Sequence, residues 1–198
     1  MRALASFADR DPVPWANGAG QTTELVSLAD SVRLTPGLRP WRLSIARLSR
    51  VGPFSALPGM ARTFLPTAEV TLDIDGHVHS VSALHPERFH GRQAVNLVGM
   101  AEPCFAVNLM VADEDTGSTG CDAATESGNS GQESESASGE LRMSIGKSFA
   151  TDGFRFVLTL EAVAEYLRSQ LFELEPGEAI PDEIPVAVLQ PESVDTHI

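Results

Sequence analysis

The chain has 198 residues and carries 14 Lys and Arg against 27 Asp and Glu, a formal charge of -13 at neutral pH. Hydrophobic residues make up 42% of it, which allows a real core and excludes global disorder. The acidic balance leaves no basic surface able to release counterions from nucleic acid, and two cysteines, Cys104 and Cys121, form neither a disulfide framework nor a four-ligand zinc site.

The N-terminal stretch MRALASFADRDPVPW has no apolar run of signal-peptide length, and nowhere do eighteen apolar residues follow one another. No membrane span is expected, and a cytoplasmic location is the default expectation for a chain with unpaired thiols. Sixteen Gly and thirteen Pro predict many turns and short strands.

The first distinctive stretch is Trp15-Ala-Asn-Gly-Ala-Gly-Gln-Thr-Thr-Glu-Leu. Its glycines let the backbone take positive φ and approach another surface. It is no dinucleotide fingerprint, because alternating strand-like residues follow it rather than a helix. It reads either as a structural turn or as a ligand-contacting loop, in which Asn17, Thr22 and Thr23 offer neutral hydrogen-bonding groups and Trp15 a flat wall. From Thr22 to Leu28 the alternation predicts a strand with Glu24, Val26 and Leu28 on one side. Trp41 to Ala46 alternates more cleanly, with Trp41, Leu43 and Ile45 on one face and Arg42, Ser44 and Ala46 on the other. An arginine facing a barrel lumen must be paired with an acid or receive an anionic ligand, since an isolated buried charge is costly. A structural pair with Glu24 and a fork for a carboxylate both satisfy this rule.

Val70 to Ile74 and His77 to Val81 read as two strands joined by the Asp75-Gly76 hairpin signal. His77 and His79 share a strand face, but no glutamate follows at metal-ligand spacing and Glu87 is too distant. His85 and His90 lie in a loop-like stretch. Phe105 to Val111 predicts another strand, with Asn108 and Met110 on the face behind Phe105, Val107 and Leu109. Ala112 to Glu140 holds roughly eight acids and no base amid Ser, Gly and Thr, and is expected to be a disordered insertion. Without it the net charge is near -5, so most of the acidity belongs to that segment. From Phe154 to Leu174 the residues fit both a strand and a helical stripe. Ile184 to Leu189 predicts a last strand. Leu141 to Ile198 spans 58 residues, marginal for an independent core, so this half is expected to pack on the first. No nucleophile elbow occurs, and Cys104 has no histidine near it in sequence.

Four ordered blocks, WxNGxGxTxEL, WRLSIAxL, GPFSxxPGxxRTF and NLMV, resemble the HutD/Ves family over about residues 13–111, and more loosely over 141–190. The resemblance implies an all-β, cupin-like jelly-roll fold of two barrel halves (bicupin-like): an N-terminal barrel over 1–111, the insertion over 112–140 and a C-terminal β half over 141–198. It favours the strand reading at Phe154 to Glu161. It also implies an association with bacterial histidine utilisation, without a settled catalytic activity. Ala19 stands where the family usually has glycine. Matched position by position, Trp15, Asn17, Thr23, Glu24, Arg42, Ser44, Phe54, Arg62 and Asn108 are the candidate ligand-binding residues.

The leading expectation is a non-catalytic protein that binds a small anionic metabolite, urocanate or a formylated glutamate-type compound, and modulates histidine utilisation. Arg42 or Arg62 would grip the carboxylate. No catalytic residue, metal or cofactor is expected, nor a nucleic-acid or membrane partner, while a homodimer is compatible with the sequence. The alternative is a metal-dependent cupin enzyme, an oxygenase or isomerase, which requires His77 and His79 to point inward. A third reading makes the acidic segment a contact for another protein.

Overall fold

The computed structural model describes residues 1–114, 139–146, 155–162, 168–179, 181 and 183–191. Most of the acidic insertion, Cys121 and part of the stretch with two readings (163–167) lie outside the described residues. The elements in chain order are β1 (Arg2–Ser6), a 3-10 turn (Phe7–Asp9), β2 (Val13–Pro14), β3 (Gly20–Val26), α1 (Leu28–Leu34), β4 (Trp41–Leu48), β5 (Gly52–Pro53) and β6 (Met60–Pro66). They continue with β7 (Val70–Ile74), β8 (His77–Val81), β9 (Glu87–His90), β10 (Val95–Met100), β11 (Cys104–Ala112), β12 (Leu141–Gly146), β13 (Arg155–Thr159), β14 (Gln170–Leu174) and β15 (Val186–Pro191). Among the described residues no helix is long and apolar enough to cross a membrane.

The strands form three antiparallel sheets. The central one has six strands in the order β2-β3-β4-β11-β6-β9, and its two faces bury different partners. Trp41, Leu43 and Ile45 of β4, with Val107 and Leu109 of β11, pack against Phe156, Leu158, Leu171 and Leu189 of the five-stranded sheet β1-β14-β13-β15-β12. On the opposite face Ala46, Leu48, Phe64 and Ala106 pack against Val70, Leu72 and Leu97 of the four-stranded sheet β5-β10-β7-β8. A sheet covered on both sides has little room for polar residues, so those that point inward mark where packing is interrupted. Strands β12, β13, β14 and β15 share one core with β4 and β11. The N-terminal strand β1 joins their sheet rather than the first half's, through its pairing with β14.

Local chemistry accounts for the departures from simple alternation. The strand expected from Thr22 to Leu28 stops at Val26, because Ser27 caps a helix: its hydroxyl accepts from the Asp30 amide at 3.1 Å. Leu28 and Val32 of α1 remain exposed and Ser31 is its buried residue, so the helix has no apolar stripe to announce it. A bulge between Glu24 and Val26 then changes the phase, pairing Val26 with Leu43. Glu24 and Val26 therefore sit on opposite faces, contrary to the alternation read from sequence. The Asp75-Gly76 turn forms as expected, with φ of 52° and 86°, the two positive angles a type I′ hairpin needs. His90 ends β9 instead of lying in a loop.

Trp41 and Phe156 join the central and five-stranded sheets, with fully buried rings whose centroids are 5.3 Å apart. Replacing Phe156 by Ala should lower unfolding free energy by about 3–5 kcal/mol, measured by urea titration.

Candidate functional site

Register converts the sequence pattern into a site. Across the central sheet Glu24 of β3, Ser44 of β4, Asn108 of β11 and Phe64 of β6 are successive cross-strand neighbours. The adjacent row is Arg42, Met110 and Arg62. Paired residues in antiparallel strands project to the same side. All of these side chains except Phe64 therefore floor a cavity of about 350 Å³ between the central sheet and the segment that follows β5. Trp15, Phe54 and Leu57 supply its apolar walls.

Arg62 is the dominant group. It is only 7% exposed, and among the described residues no carboxylate pairs with it. Its Nε and Nη2 both donate to Asn108 Oδ1, at 2.9 and 2.6 Å, while Nη1 donates to no described residue. The rings of Phe54, Phe89 and Phe64 surround the guanidinium carbon at 4.6, 5.3 and 5.8 Å. Their π faces stabilise a cation, but they also exclude water. Burial, reinforced by the like charge of Arg42, pushes the Arg62 pKa down to about 9. Asn108 is itself buried, and its Nδ2 donates to the Ala106 carbonyl at 3.2 Å, which leaves Oδ1 for the arginine.

Arg42 is arranged differently. Its Nε donates to Glu24 Oε2 at 2.5 Å, and both side chains reach solvent at the cavity mouth. The internal pair foreseen for Arg42 is formed. In the adjacent row, between Glu24 and Asn108, lies Ser44, 1% exposed, whose hydroxyl has no hydrogen-bond partner among the described residues. A buried hydroxyl without a partner is unfavourable, and this one lines the cavity.

The glycine-rich stretch builds the wall. Gly18 holds φ +64°, the Asn17 Oδ1 accepts from the Ala19 amide at 2.9 Å, and the Trp15 amide donates to the Gly20 carbonyl at 2.9 Å. A Cβ at Gly20 would stand 2.3 Å from the Arg47 carbonyl oxygen and 3.2 Å from the Trp15 ring, so only glycine fits. The folded-back turn directs Trp15 towards Thr22, whose Oγ1 accepts from Nε1 at 2.7 Å, and edge-on to Phe54 at 6.3 Å. Ala19 needs no positive φ.

Seven of the nine sequence candidates line the cavity: Trp15, Glu24, Arg42, Ser44, Phe54, Arg62 and Asn108. Asn17 and Thr23 do not. The Asn17 side chain is used in its own turn. Thr23 is buried opposite Ile45, on the face that packs against the C-terminal strands. Thr22, the threonine of the first sequence block, is the cavity residue instead, in phase with Glu24. Met110 and Leu57 also belong to the lining and carried no polar signal. Met110 was nonetheless in phase with Asn108 in the alternation of β11.

The described histidines do not form a metal centre with their described neighbours. His77 is exposed, and His79 reaches Glu87 at 3.4 Å at the sheet margin. His90 pairs with Asp113 at 2.7 Å. Among the described residues no three His, Cys, Asp or Glu side chains are placed to hold a metal ion, and Glu24 is the single such donor lining the cavity. The cupin metal set therefore does not fit these residues. Burial raises the Cys104 thiol pKa, aided by Glu102, which disfavours the nucleophilic thiolate.

The HutD family matches residues 7–148. The chain belongs to the HutD family. This HutD family protein is similar to HutD from Pseudomonas fluorescens SBW25, whose structure was determined in a formate condition: the TM-score is 0.64 at 20% identity, over 94% of this chain and 96% of that one. It is also similar to a conserved protein of unknown function from Pseudomonas aeruginosa PAO1, with a TM-score of 0.61 at 17% identity over 94% and 92% of the two chains. These likenesses show that the fold is the all-β, cupin-like one of the HutD proteins. No curated protein sequence matches the chain.

The Arg62–Asn108 arrangement carries a stability signature. Asn108→Ala strands the guanidinium and should cost about 3 kcal/mol or more. The double variant Arg62→Met/Asn108→Leu removes both polar groups together, and its thermal midpoint should match or exceed that of the parent protein in calorimetry.

Proposed function

We propose that this HutD family protein is a non-catalytic receptor for a small carboxylate, through which it modulates histidine utilisation, the process implied by the family name. The observation that carries this reading is Arg62: a buried guanidinium that has, among the described residues, no acidic partner and one unbonded amino group, on the wall of a cavity large enough for a small metabolite. A charge kept in that state lowers stability unless an anion completes it. Structural arginines in cores are commonly matched with carboxylates, as Arg39 is with Glu140 in this protein at 2.7 Å. Arg62 has an amide oxygen instead, which orients the guanidinium without neutralising it.

The carboxylate would meet Nη1 of Arg62, with Ser44 supplying a hydroxyl donor. Trp15, Phe54 and Met110 would cover the apolar body of the ligand. Formate is the smallest probe of the cationic end, and urocanate and formylglutamate are the larger candidates. The side chains around Arg62 are suited to holding an anion. Among the described residues the one acid in the lining, Glu24, is tied to Arg42.

Two measurements test the reading. In calorimetric titration, formate or urocanate should bind the parent protein, whereas Arg62→Gln should weaken binding by roughly 100-fold, the scale of a charge-assisted hydrogen bond in a buried site. Absence of binding to the parent protein at millimolar formate, urocanate and formylglutamate would sink the proposal. The pH dependence has a definite sign. Protonated Arg62 is the binding form, so formate affinity should be level through neutrality and fall about tenfold per pH unit above pH 9.

A further inference from the structure

We propose that residues 54–59 form a hinged strap that opens and closes the cavity as one unit, and that His90 and Asp113 are its latch. The inference concerns access to the cavity and goes beyond the carboxylate reading. The strap links β5 to β6 and belongs to no strand or helix. Phe54, Ser55 and Leu57 line the large cavity and also a second hollow of about 10 Å³, bounded by Phe89, His90 and Gly91. The strap therefore stands between two hollows instead of on a packed core, and its Ala56, Pro58 and Gly59 are exposed. It also carries the ring that covers the buried cation: the Phe54 centroid is 4.6 Å from the Arg62 guanidinium carbon. Lifting the strap uncovers Arg62.

Among the described residues, three main-chain hydrogen bonds tie the strap down. The Phe54 amide donates to the Val95 carbonyl at 2.9 Å, the Leu57 amide to the Gly91 carbonyl at 2.7 Å, and the Asp113 amide to the Gly59 carbonyl at 2.9 Å. The turn on which it sits, residues 90–94, is braced more closely. The His90 amide donates to Gln93 Oε1 at 2.8 Å, Gln93 Nε2 to Asp75 Oδ2 at 2.8 Å, and the Ala94 amide to Asp75 Oδ1 at 2.9 Å. A Cβ on Gly91 would stand 2.0 Å from the Leu57 carbonyl oxygen, so strap and seat touch backbone to backbone. A segment with few main-chain bonds and little apolar burial opens at a lower free energy than a sheet core, so of the two the strap is the part that moves. Gly59 supplies the hinge. Its φ is +83° and a Cβ there would meet nothing within 4 Å, so backbone conformation and not packing calls for glycine.

Asp113 grips both parts of this joint. Its amide holds the hinge at Gly59, and its carboxylate oxygens accept from His90 Nε2 at 2.7 and 3.0 Å. His90 Nδ1 accepts from the Arg92 amide at 3.2 Å, so Nε2 carries the proton given to Asp113. The pair joins hinge to seat through side chains, where the strap's own bonds are sparse. Neither residue lines the large cavity, so releasing the latch leaves the cavity lining unaltered.

Opening exposes the amides of Phe54, Leu57 and Asp113 together, so hydrogen exchange resolved by residue in NMR reads it directly. In the parent protein the three should share one protection factor within about threefold, at least about 100-fold below the best protected amides of β4 and β11. Asp113→Ala and His90→Ala should each lower that protection by about five- to tenfold, the loss of one charge-assisted hydrogen bond, and leave β4 and β11 within about twofold. Asp113→Asn keeps an acceptor oxygen and should stay within about threefold of the parent. Formate held by the closed form should raise protection of the three amides about tenfold at ten times its Kd. Three amides as protected as the sheets, or protection spread over more than about tenfold, overturn the proposal, because the strap then does not open as a unit. Parent-like protection in the alanine variants overturns it too; should one of them not fold, the other decides, and should neither fold, the parent pattern decides. Formate that binds without changing the exchange also overturns it, since strap and cavity are then uncoupled. Failure of formate to bind counts against the carboxylate reading alone, and the latch variants then decide the strap.

Discussion

A guanidinium held in a nearly dry environment by one amide oxygen and three aromatic rings is the constraint around which this molecule is organised. Arg62 cannot be moved to solvent without opening the contact between the central sheet and the segment after β5. Nor is it neutralised where it stands. Asn108 fixes the plane of the guanidinium, Phe54, Phe64 and Phe89 shield it, and the remaining amino group is left without a partner among the described residues. The stability of such an arrangement comes from elsewhere, from the two apolar layers that clasp the central sheet.

The division of labour between the faces of that sheet explains how a cationic site is tolerated. The face bearing Trp41, Leu43 and Ile45 is continuous apolar packing against the C-terminal strands. The other face is apolar only over part of its area, where Leu48, Phe64 and Ala106 meet the four-stranded sheet, and polar where Ser44, Asn108 and Arg62 line the cavity. Cross-strand register keeps the polar residues together, because one step along β4, β11 or β6 would send each of them into the mainly apolar layer. The glycine-rich turn performs a related task at the margin. Its backbone contacts bring an indole to the cavity wall, and that accounts for the close approach at Gly20 better than a direct ligand contact from the loop does.

Charge also separates into roles that composition conceals. The two arginines on the cavity face look equivalent in a strand pattern. One is half-exposed and tied to Glu24, while the other is enclosed and unmatched. Their chemistry differs accordingly: Arg42 with Glu24 makes a neutral rim, and Arg62 supplies the attraction for an anion. The pull of the site on a ligand therefore does not follow from the net charge of -13, which is carried largely by an acidic segment of the chain.

Much of this was legible before folding was considered. Alternation over Trp41 to Ala46 and Phe105 to Val111 predicted the strands and the two faces, and the asparagine, arginines and aromatics in the ordered sequence blocks supplied most of the cavity, because period-two spacing is a local property of the chain. Helix α1 escaped because it buries no stripe, Thr22 was passed over for Thr23, and Asn17 was taken for a ligand contact when its oxygen closes its own turn. What the sequence by itself determined is the all-β class and the set of residues that share a face. Only the tertiary structure decided which arginine has an acid beside it and which has none among the described residues, because residues 24, 42, 62 and 108 meet through sheet register, and register is fixed by the burial of both faces at once rather than by any neighbour along the chain.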